Sequence, residues 1–597
     1  MNKNAILDRL FPERNIGKVL LINPPDADAS LFRRDTARLK RYSAYPPYGL
    51  TVLAQKLISS GIKVHISDLN YHILKQCNGI EENEAFDFSA TWKGRLDDVI
   101  SIIKPDLIGI TCMFSMTYLP FKTVCRFLAD KDIPMVAGGV YLTSDHGRVL
   151  NDLPFLKALF LGESDVSLVN FIQVVNRKLA VKFLSRVIIN DTHPCSCCSE
   201  GAPPDEKMID TIPAYELISL SEYAKYGTIG AFYCFKEPEA RFATIISNRG
   251  CRGKCKFCSV GNFNGPGVRQ RKIASVVDEL ELIQNRYDID HVVWLDDDLL
   301  FNHKRAIALF NEMVRRNLNL TWDATNGVLA ASCKDEVIAA AQESGCIALN
   351  IGLESGNAAI LKEMRKPALV DTYFAAAEVL KKYEKIHTSG FLMLGFPDET
   401  MAMIFETITL AERMDLDWYR ISIVEPLPGT PLYKSMMKSG RLKKDADGDI
   451  RFMGGAYGKQ AEIEQGINPS ENDFMKSINA IPMEAVPEPA QLTDIWFYMN
   501  YRLNFNRLFA ENRKIKIQQQ IRHLGNLADV ISKDNGFALY FLGYLQYKIF
   551  GKTEKKVVDR LEKRLDTSQY WKNRFHAFDL EIDDLKNLDF NKRAYPN

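Results

Sequence analysis

The chain has 597 residues, with 76 Lys and Arg against 75 Asp and Glu, and 46% of it is hydrophobic. That length exceeds what one core organises, and the near-zero net charge gives no signal of a nucleic-acid or acidic partner, while a small molecule or peptide is the expected substrate. Twelve cysteines behind an N-terminus with no apolar leader point to a reducing cytoplasm and to metal work rather than disulfides. The longest apolar stretches, Leu107–Phe121 and Ala538–Phe550, fall short of the ~20 residues of a membrane span.

Five short apolar runs in the first third stop at turn residues, as buried parallel strands do: Lys18–Pro25, Lys63–Leu69, Asp106–Met113, Pro134–Val140 and Ala158–Glu163. Helical spacing fills the gaps at Leu50–Ser60, Arg95–Lys104, Leu119–Asp130 and Val166–Asn176. The alternation predicts a doubly wound α/β domain over residues 1–176, with ligands beyond the carboxyl ends of the strands. Those ends carry Pro24, Pro25, Ser115, Gly138, Gly139, Gly162 and Glu163, and glycine there lets a backbone approach a large ligand. The basic run Arg33–Arg41 reads as a solvated helix face in preference to a phosphate contact.

Residues 177–240 show no sustained period and read as a connection. Cys195, Cys197 and Cys198 lie there beside His193. Three sulfurs within four residues crowd a single ion, so linker cysteines are the preferred reading over a metal site.

Asn248–Gly261 (NRGCRGKCKFCSVG) sets Cys251, Cys255 and Cys258 in a C-x3-C-x2-C spacing. Three soft thiolates suit iron and sulfide, and three ligands leave one iron of a 4Fe-4S cluster open. A zinc site would want a fourth ligand, and the loop offers none. Around this loop, strands at Ala243–Asn248, His291–Leu295, Leu320–Thr325, Ile347–Leu353, Gly390–Leu394 and Arg420–Val424 alternate with helices. Six such units over residues 241–441 predict an open (β/α)6 barrel with its function at the strand carboxyl ends. Those ends carry Asp296-Asp297-Asp298, Glu354-Ser355-Gly356, the GFPDET turn with Gly395, Pro397 and Glu399, and PLPGTP with Gly429. The triple aspartate reads equally as a ligand contact or as turn and cap chemistry. Arg269 and Arg271 read as anion contacts. From residue 442 the pattern stops. A polar Gly448–Pro469 stretch and a proline-bearing Ala480–Pro489 run lead to helices at Asp494–Phe509, Lys514–Ile531, Gly536–Phe550 and Lys555–Leu565. Trp496, Tyr498, Tyr501 and Phe505 read as bundle core, compatible with a cover over the barrel mouth.

At the cysteine loop the sequence resembles the radical S-adenosylmethionine (SAM) enzymes. The resemblance implies a 4Fe-4S cluster on Cys251, Cys255 and Cys258 and Phe257 against the SAM adenine. It also implies Glu354 and Ser355 at the SAM ribose or amino group, and an adenine site shaped by Gly395 and Pro397. Reduction of the cluster then cleaves SAM to a 5′-deoxyadenosyl radical, chemistry that belongs to the cofactor. With a flavodoxin-like domain in front, the NPP turn, the YPPYGL segment Tyr45–Leu50, Gly138-Gly139 and the LGE of Leu161–Glu163 resemble the cobalamin-dependent class. That implies cobalamin on the strand ends of the first domain and an electron donor such as flavodoxin or ferredoxin, while the pattern from residue 442 on reads by itself as a mainly helical third domain. The commonest activity of the class is methylation of an unactivated carbon. Non-methylating ring closure, contraction or oxidation stands as the alternative, with a cobalamin or cluster sensor behind it. Many members offer a lower cobalt ligand in Asp-x-His-x-x-Gly. Here the loop Asp26–Ser30 reads DADAS and holds no histidine, and His146 reads as a loop residue. The RNA methylthiotransferases share the barrel, but Cys77, Cys112 and Cys125 do not form their first-domain cluster.

Overall fold

The computed structural model describes residues 3–81, 84–191, 201–442 and 474–590. His193, Cys195, Cys197, Cys198 and the stretch 448–469 lie outside the described residues.

The first sheet is built from β1 (Lys18–Asn23), β2 (Lys63–Asp68), β3 (Leu107–Thr111), β4 (Met135–Gly138), β5 (Ala158–Phe160) and β6 (Val187–Ile189), in the order β2-β1-β3-β4-β5-β6. The first five are parallel, and β6 adds an antiparallel edge from the segment read as connection. Successive side chains of a strand face opposite ways. Leu20 accordingly belongs to an apolar layer with Trp92 and Phe121, while Leu21 belongs to one with Leu57 and Phe171. The winding reverses between β1 and β3, and this opens a crevice at their carboxyl ends.

The second sheet comprises β7 (Phe242–Ile245), β10 (His291–Trp294), β11 (Thr321–Val328), β12 (Cys346–Glu354), β13 (His387–Leu394) and β14 (Trp418–Ile423). Its order is β14-β13-β12-β11-β10-β7, parallel throughout, with β7 and β14 as its two edges: an open (β/α)6 barrel. Between β7 and β10 a small antiparallel ladder, β8 (Asn248–Arg249) with β9 (Arg269–Gln270), ties off the base of the cysteine loop.

An exposed strand edge invites pairing with another chain, and the C-terminal helices cover that of β14. The Asn504 amide accepts from the Tyr419 N–H at 2.6 Å and donates to the Tyr419 carbonyl at 2.9 Å, and the Trp496 indole donates to the Ile421 carbonyl at 2.8 Å. Helices Lys514–Asn526 and Gly536–Phe550 continue the same core, in which Phe537 and Trp571 join Trp322 and Leu353. Lys516 pairs with Asp417 at 2.7 Å, both buried, and donates to the Ile386 carbonyl. Asp417 and Ile386 precede β14 and β13, so this bond lies at the floor of the barrel, away from its mouth. Tyr498, Tyr501 and Phe505 are buried in that core. The mouth is met instead by residues 483–492. The carbonyls of Met483 and Ala485 accept from the first N–H groups of helix Met401–Met414, and Leu492 lies over Gly395. No helix among the described residues is long and apolar enough to cross a membrane.

Candidate functional site

Cys251, Cys255 and Cys258 sit on the loop that leaves β8, each partly exposed. A Cβ on Gly253 would lie 3.4 Å from the Cys251 sulfur and 3.6 Å from that of Cys255, so these two thiols flank this residue. Burial pushes Cys251 up to about 11 and Cys255 up to about 12, and raises Cys258. The free site therefore holds thiols, and metal loading displaces protons. Among the described residues no three His, Cys, Asp or Glu side chains converge on one ion. The donor set, three soft thiols on one loop, fits the corners of a cluster better than a single-ion shell.

The three aspartates after β10 hold this loop in place. Asp296 accepts from the Ser247 N–H, the Ser247 hydroxyl and the Asn248 N–H at 2.9, 2.6 and 2.8 Å. Asp297 accepts from Asn264 at 2.7 Å and from the Gly250 N–H, and Asp298 takes a two-pronged bond from Arg252 at 2.7 and 2.8 Å. Burial pushes Asp296 and Asp297 up to about 6. The run is thus neither an open ligand site nor a helix cap.

Beside the thiols, Glu354 ends β12 in a left-handed backbone conformation (φ 69°), and its carboxylate lies 2.7 Å from the Lys366 ammonium. Both are largely buried, and the Lys366 charge acts on Cys255 and Cys258. Lys366 carries no motif signature, so spacing alone did not reveal it. Phe257 packs toward Phe396 (centroids 6.3 Å apart) with Ile360, Met364 and Leu432 around them. The GFPDET turn, with Pro397 inside it, is closed by Glu399. Its buried carboxyl accepts from the Gly395 and Phe396 N–H groups at 2.7 and 3.1 Å, and burial pushes it up to about 7. Ser355 is fully buried, 3.2 Å from the Thr407 hydroxyl, where it secures the turn after Glu354.

On the first domain, Pro24 and Pro25 are buried at the end of β1. Asp26 follows, bonded to Asn70 at 3.1 Å and pushed up to about 7 by burial and by Asp68. At the end of β3, Ser115 sits among Met113, Phe114, Met116 and Leu119. Phe114 is 60% and Met116 58% exposed. This bare apolar shelf lies at the crevice where the winding reverses, and it suits a large flat ligand. Gly138 and Gly139 follow β4, and Gly139 packs against the Cys112 carbonyl. His146 is exposed, 3.5 Å from the Thr143 carbonyl. Arg34 and Arg38 donate to carbonyls at 80–84, which makes the basic run structural.

Gly162 and Glu163 do other work than the glycine-rich strand end suggested. A Cβ on Gly162 would meet the Arg186 guanidinium and stand 2.6 Å from the Phe263 carbonyl, so the close approach is to protein. Glu163 pairs with Arg249 at 3.0 Å and with Arg269, while Asp165 grips Arg249 at 2.8 and 2.9 Å. Burial alone would raise Asp165, but the Arg249 charge and hydrogen bonds outweigh it and hold it below the usual carboxylate range. Arg249 and Arg269 are the β8–β9 pair at the base of the cysteine loop, so this cluster clamps the first domain to it. Arg271 is likewise committed, to Glu279 at 2.7 Å and to the Tyr48 hydroxyl at 3.0 Å. Neither Arg269 nor Arg271 is open to an anion. Helix Val140–Ser144 packs on helix Val260–Asn264, and Asn262 donates to the Gly429 carbonyl. The carboxyl ends of the two sheets therefore face each other.

Residues 245–411 match the model of the radical SAM superfamily, a span that contains the three thiols and the ends of β10 through β13. That span is a radical SAM domain. An uncharacterized methyltransferase of Pyrococcus horikoshii is 26% identical over 434 residues, 71% of this chain and 84% of the relative. Cytidylyl-2-hydroxyethylphosphonate methyltransferase of Streptomyces wedmorensis is 24% identical over 463 residues, 72% of this chain and 83% of that protein. Among solved structures, the cobalamin-dependent SAM radical enzyme OxsB, with aqua-cobalamin and SAM bound, superposes with a TM-score of 0.59 at 14% identity. The match covers 98% of this chain and 89% of that one. The chain thus shares its overall fold, from the first sheet to the C-terminal helices, with that structure.

Proposed function

We propose that this protein is a cobalamin-dependent radical SAM methyltransferase acting on an unactivated carbon of a small molecule or peptide. One observation carries the reading: a three-thiol loop at a barrel mouth lies in the same chain as a doubly wound sheet with an apolar shelf at its strand carboxyl ends, and segments from those two ends pack on each other. The methyltransferase names of the two relatives, and the cofactors bound by OxsB, support it. When bound, the 4Fe-4S cluster supplies the electron that cleaves SAM, and cobalamin carries the methyl group.

The chain's own residues then bind, orient and exclude. Cys251, Cys255 and Cys258 give up protons and hold three irons. The methionine end of SAM is a zwitterion, and the Glu354–Lys366 pair is its complement: the carboxylate takes the ammonium and the ammonium takes the carboxylate. Phe257 and Phe396 give the adenine an apolar wall, with Gly395 and Pro397 shaping its edge. Ser355 acts by fixing Glu354. Pro24, Pro25, Ser115, Gly138 and Gly139 border the corrin, and Met113, Phe114 and Met116 keep water from it. Gly162 and Glu163 act through the clamp, which sets the separation of the two cofactors. No histidine stands at Asp26–Ser30, and His146 is not beside that loop in sequence, so no protein imidazole is assigned to cobalt. Residues 1–176, extended by β6, form the cobalamin domain in this reading. Residues 241–441 form the barrel and 442–597 the helical domain, at work in the cytoplasm with a one-electron donor. The test is anaerobic turnover with methyl-deuterated SAM and cobalamin. A product that gains the labelled methyl supports the reading, and a product altered without the label replaces it with a non-methylating reaction.

A further inference from the structure

The inner wall of the barrel changes character part-way along its strands. A parallel sheet covered on both faces buries both rows of every strand. On β14 the Tyr419 hydroxyl donates to the Ala411 carbonyl of an outer helix, so Arg420 turns inward. Tyr419 and Ile421 are buried, while Arg420 is partly exposed and Ser422 exposed. On β13 Leu392 and Leu394 are buried, while the inward Phe391 and Met393 are partly exposed. Earlier on that inward row His387 and Ser389 are fully buried. The barrel is therefore filled at its amino end and forms an open cup toward its mouth.

Contacts fix what lines the cup. Gly352, Phe391 and Arg420 are register partners on β12, β13 and β14, so they share one row. The row starts at the Glu354–Lys366 pair: a Cβ on Gly352 would lie 2.7 Å from the Lys366 Nζ and 3.1 Å from the Glu354 Oε1. The Phe391 ring reaches across β12, 3.0 Å from a Cβ placed on Gly327 of β11, and Met393 packs toward Phe257. The row ends at Arg420. Its guanidinium stands 5.1 Å over the Phe232 ring and donates to the Ala231 carbonyl at 2.9 Å, which takes one of its five N–H groups. The acid on the inward row of β11, Asp323, is held by His291 at 3.0 Å and by the Thr325 hydroxyl at 2.6 Å.

We infer that the substrate is a small molecule with a carboxylate or phosphate group, which Arg420 binds in this cup while the apolar body of the substrate lies on Phe391 and against Met393. A neutral donor would pin the Ala231 carbonyl as well, without taking a charge out of water. A guanidinium matches a planar or tetrahedral anion with paired N–H bonds, and in a half-enclosed cup those bonds are strong. Phe391 and Met393 are apolar side chains left partly bare beside it, which suits the rest of a ligand. Neighbouring strands stand ~4.8 Å apart, so Arg420 lies about 10 Å from Gly352 along the row. A substrate anchored by its anion on Arg420 thus brings its far end beside the Glu354–Lys366 pair. The inference names the substrate class for the proposed reaction and rests on that reading.

The test titrates the cluster-loaded full chain, with and without SAM, by calorimetry. The probes are 3-phenylpropionate, phenyl phosphate and the uncharged 3-phenylpropanamide. At least one anion is expected to bind about tenfold or more tighter than the amide, and the tighter of the two names the group. Arg420→Gln should weaken that anion about tenfold or more. Ser422→Glu, at an exposed position on the same inward face, should do so by repulsion with the melting temperature kept, and it decides the matter if the arginine variant does not fold. An amide that binds as well as the anions, no binding of either anion, or an affinity unchanged in either folded variant overturns the proposal. Failure of dithionite to drive SAM cleavage in the unmodified protein refutes the radical SAM reading instead, and the titrations without SAM are read independently of it.

Discussion

Replacing Glu163 by Ala should loosen the first domain from the thiol loop. Glu163 is 2% exposed, and the two guanidiniums it bridges, Arg249 and Arg269, are each 13% exposed. Removing one partner of a buried pair costs ~3–5 kcal/mol, because a charge is left without its counter-ion. Asp165 still holds Arg249, and the small exposure of Arg269 lets water in, so the lower end, about 3 kcal/mol, is expected. Calorimetry of the full chain without cofactors should show an earlier transition for the first domain, separated from that of the barrel. A double-mutant cycle with Arg269→Met isolates the pair, and its coupling should exceed about 1 kcal/mol. Unchanged melting together with no coupling would refute the clamp.

Glu399→Gln tests the GFPDET turn by pH. The folded carboxyl stays neutral to about 7 against an ordinary 4.5. Stability is therefore full below the unfolded value and is lost as pH rises from there to about 7, by about 3 kcal/mol. The amide accepts the same two N–H bonds, so denaturant midpoints of the variant should lose that slope. Asn504→Leu leaves both Tyr419 backbone groups unpaired at the β14 edge, and urea titration should show a loss of about 2–4 kcal/mol. Lys366→Met should weaken SAM binding about tenfold or more in calorimetric titration, with iron loading intact, because a charge-assisted bond to the carboxylate is lost. Phe114→Asp puts a charge on the apolar shelf proposed for the corrin, at an exposed position. Cobalamin affinity followed by absorbance should fall about tenfold or more without a change in melting temperature.

The sheets were legible in the sequence because parallel strands buried on both faces are short apolar runs with clear stops. Each of the eleven strands read along the chain overlaps an observed one. The three-residue β6 was not legible, since Val187–Ile189 is too short to show a period and takes its register from β5. The same holds for the two-residue ladder of β8 and β9, which only closure of the thiol loop creates. Side-chain placement was legible where the residues are close in sequence, as in the three cysteines that share one loop. It was not where the partner is remote. Glu163 looked like part of a ligand-binding strand end because its guanidinium partners lie far along the chain. Asp296-Asp297-Asp298 looked like a ligand or a cap because the loop it pins is bonded through space. Lys366 was invisible for the same reason: nothing in MRKPAL announces an ion pair with Glu354.

The central claim is that three thiols hold an iron cluster with one corner left for SAM. Iron analysis with electron paramagnetic resonance of the anaerobically reconstituted, reduced chain tests it most directly. A four-iron cluster on the chain is expected, with a spectrum that shifts on adding SAM and 5′-deoxyadenosine formed in the same tube. A single tetrahedral metal ion on the thiols, or a cluster spectrum indifferent to SAM, would contradict it.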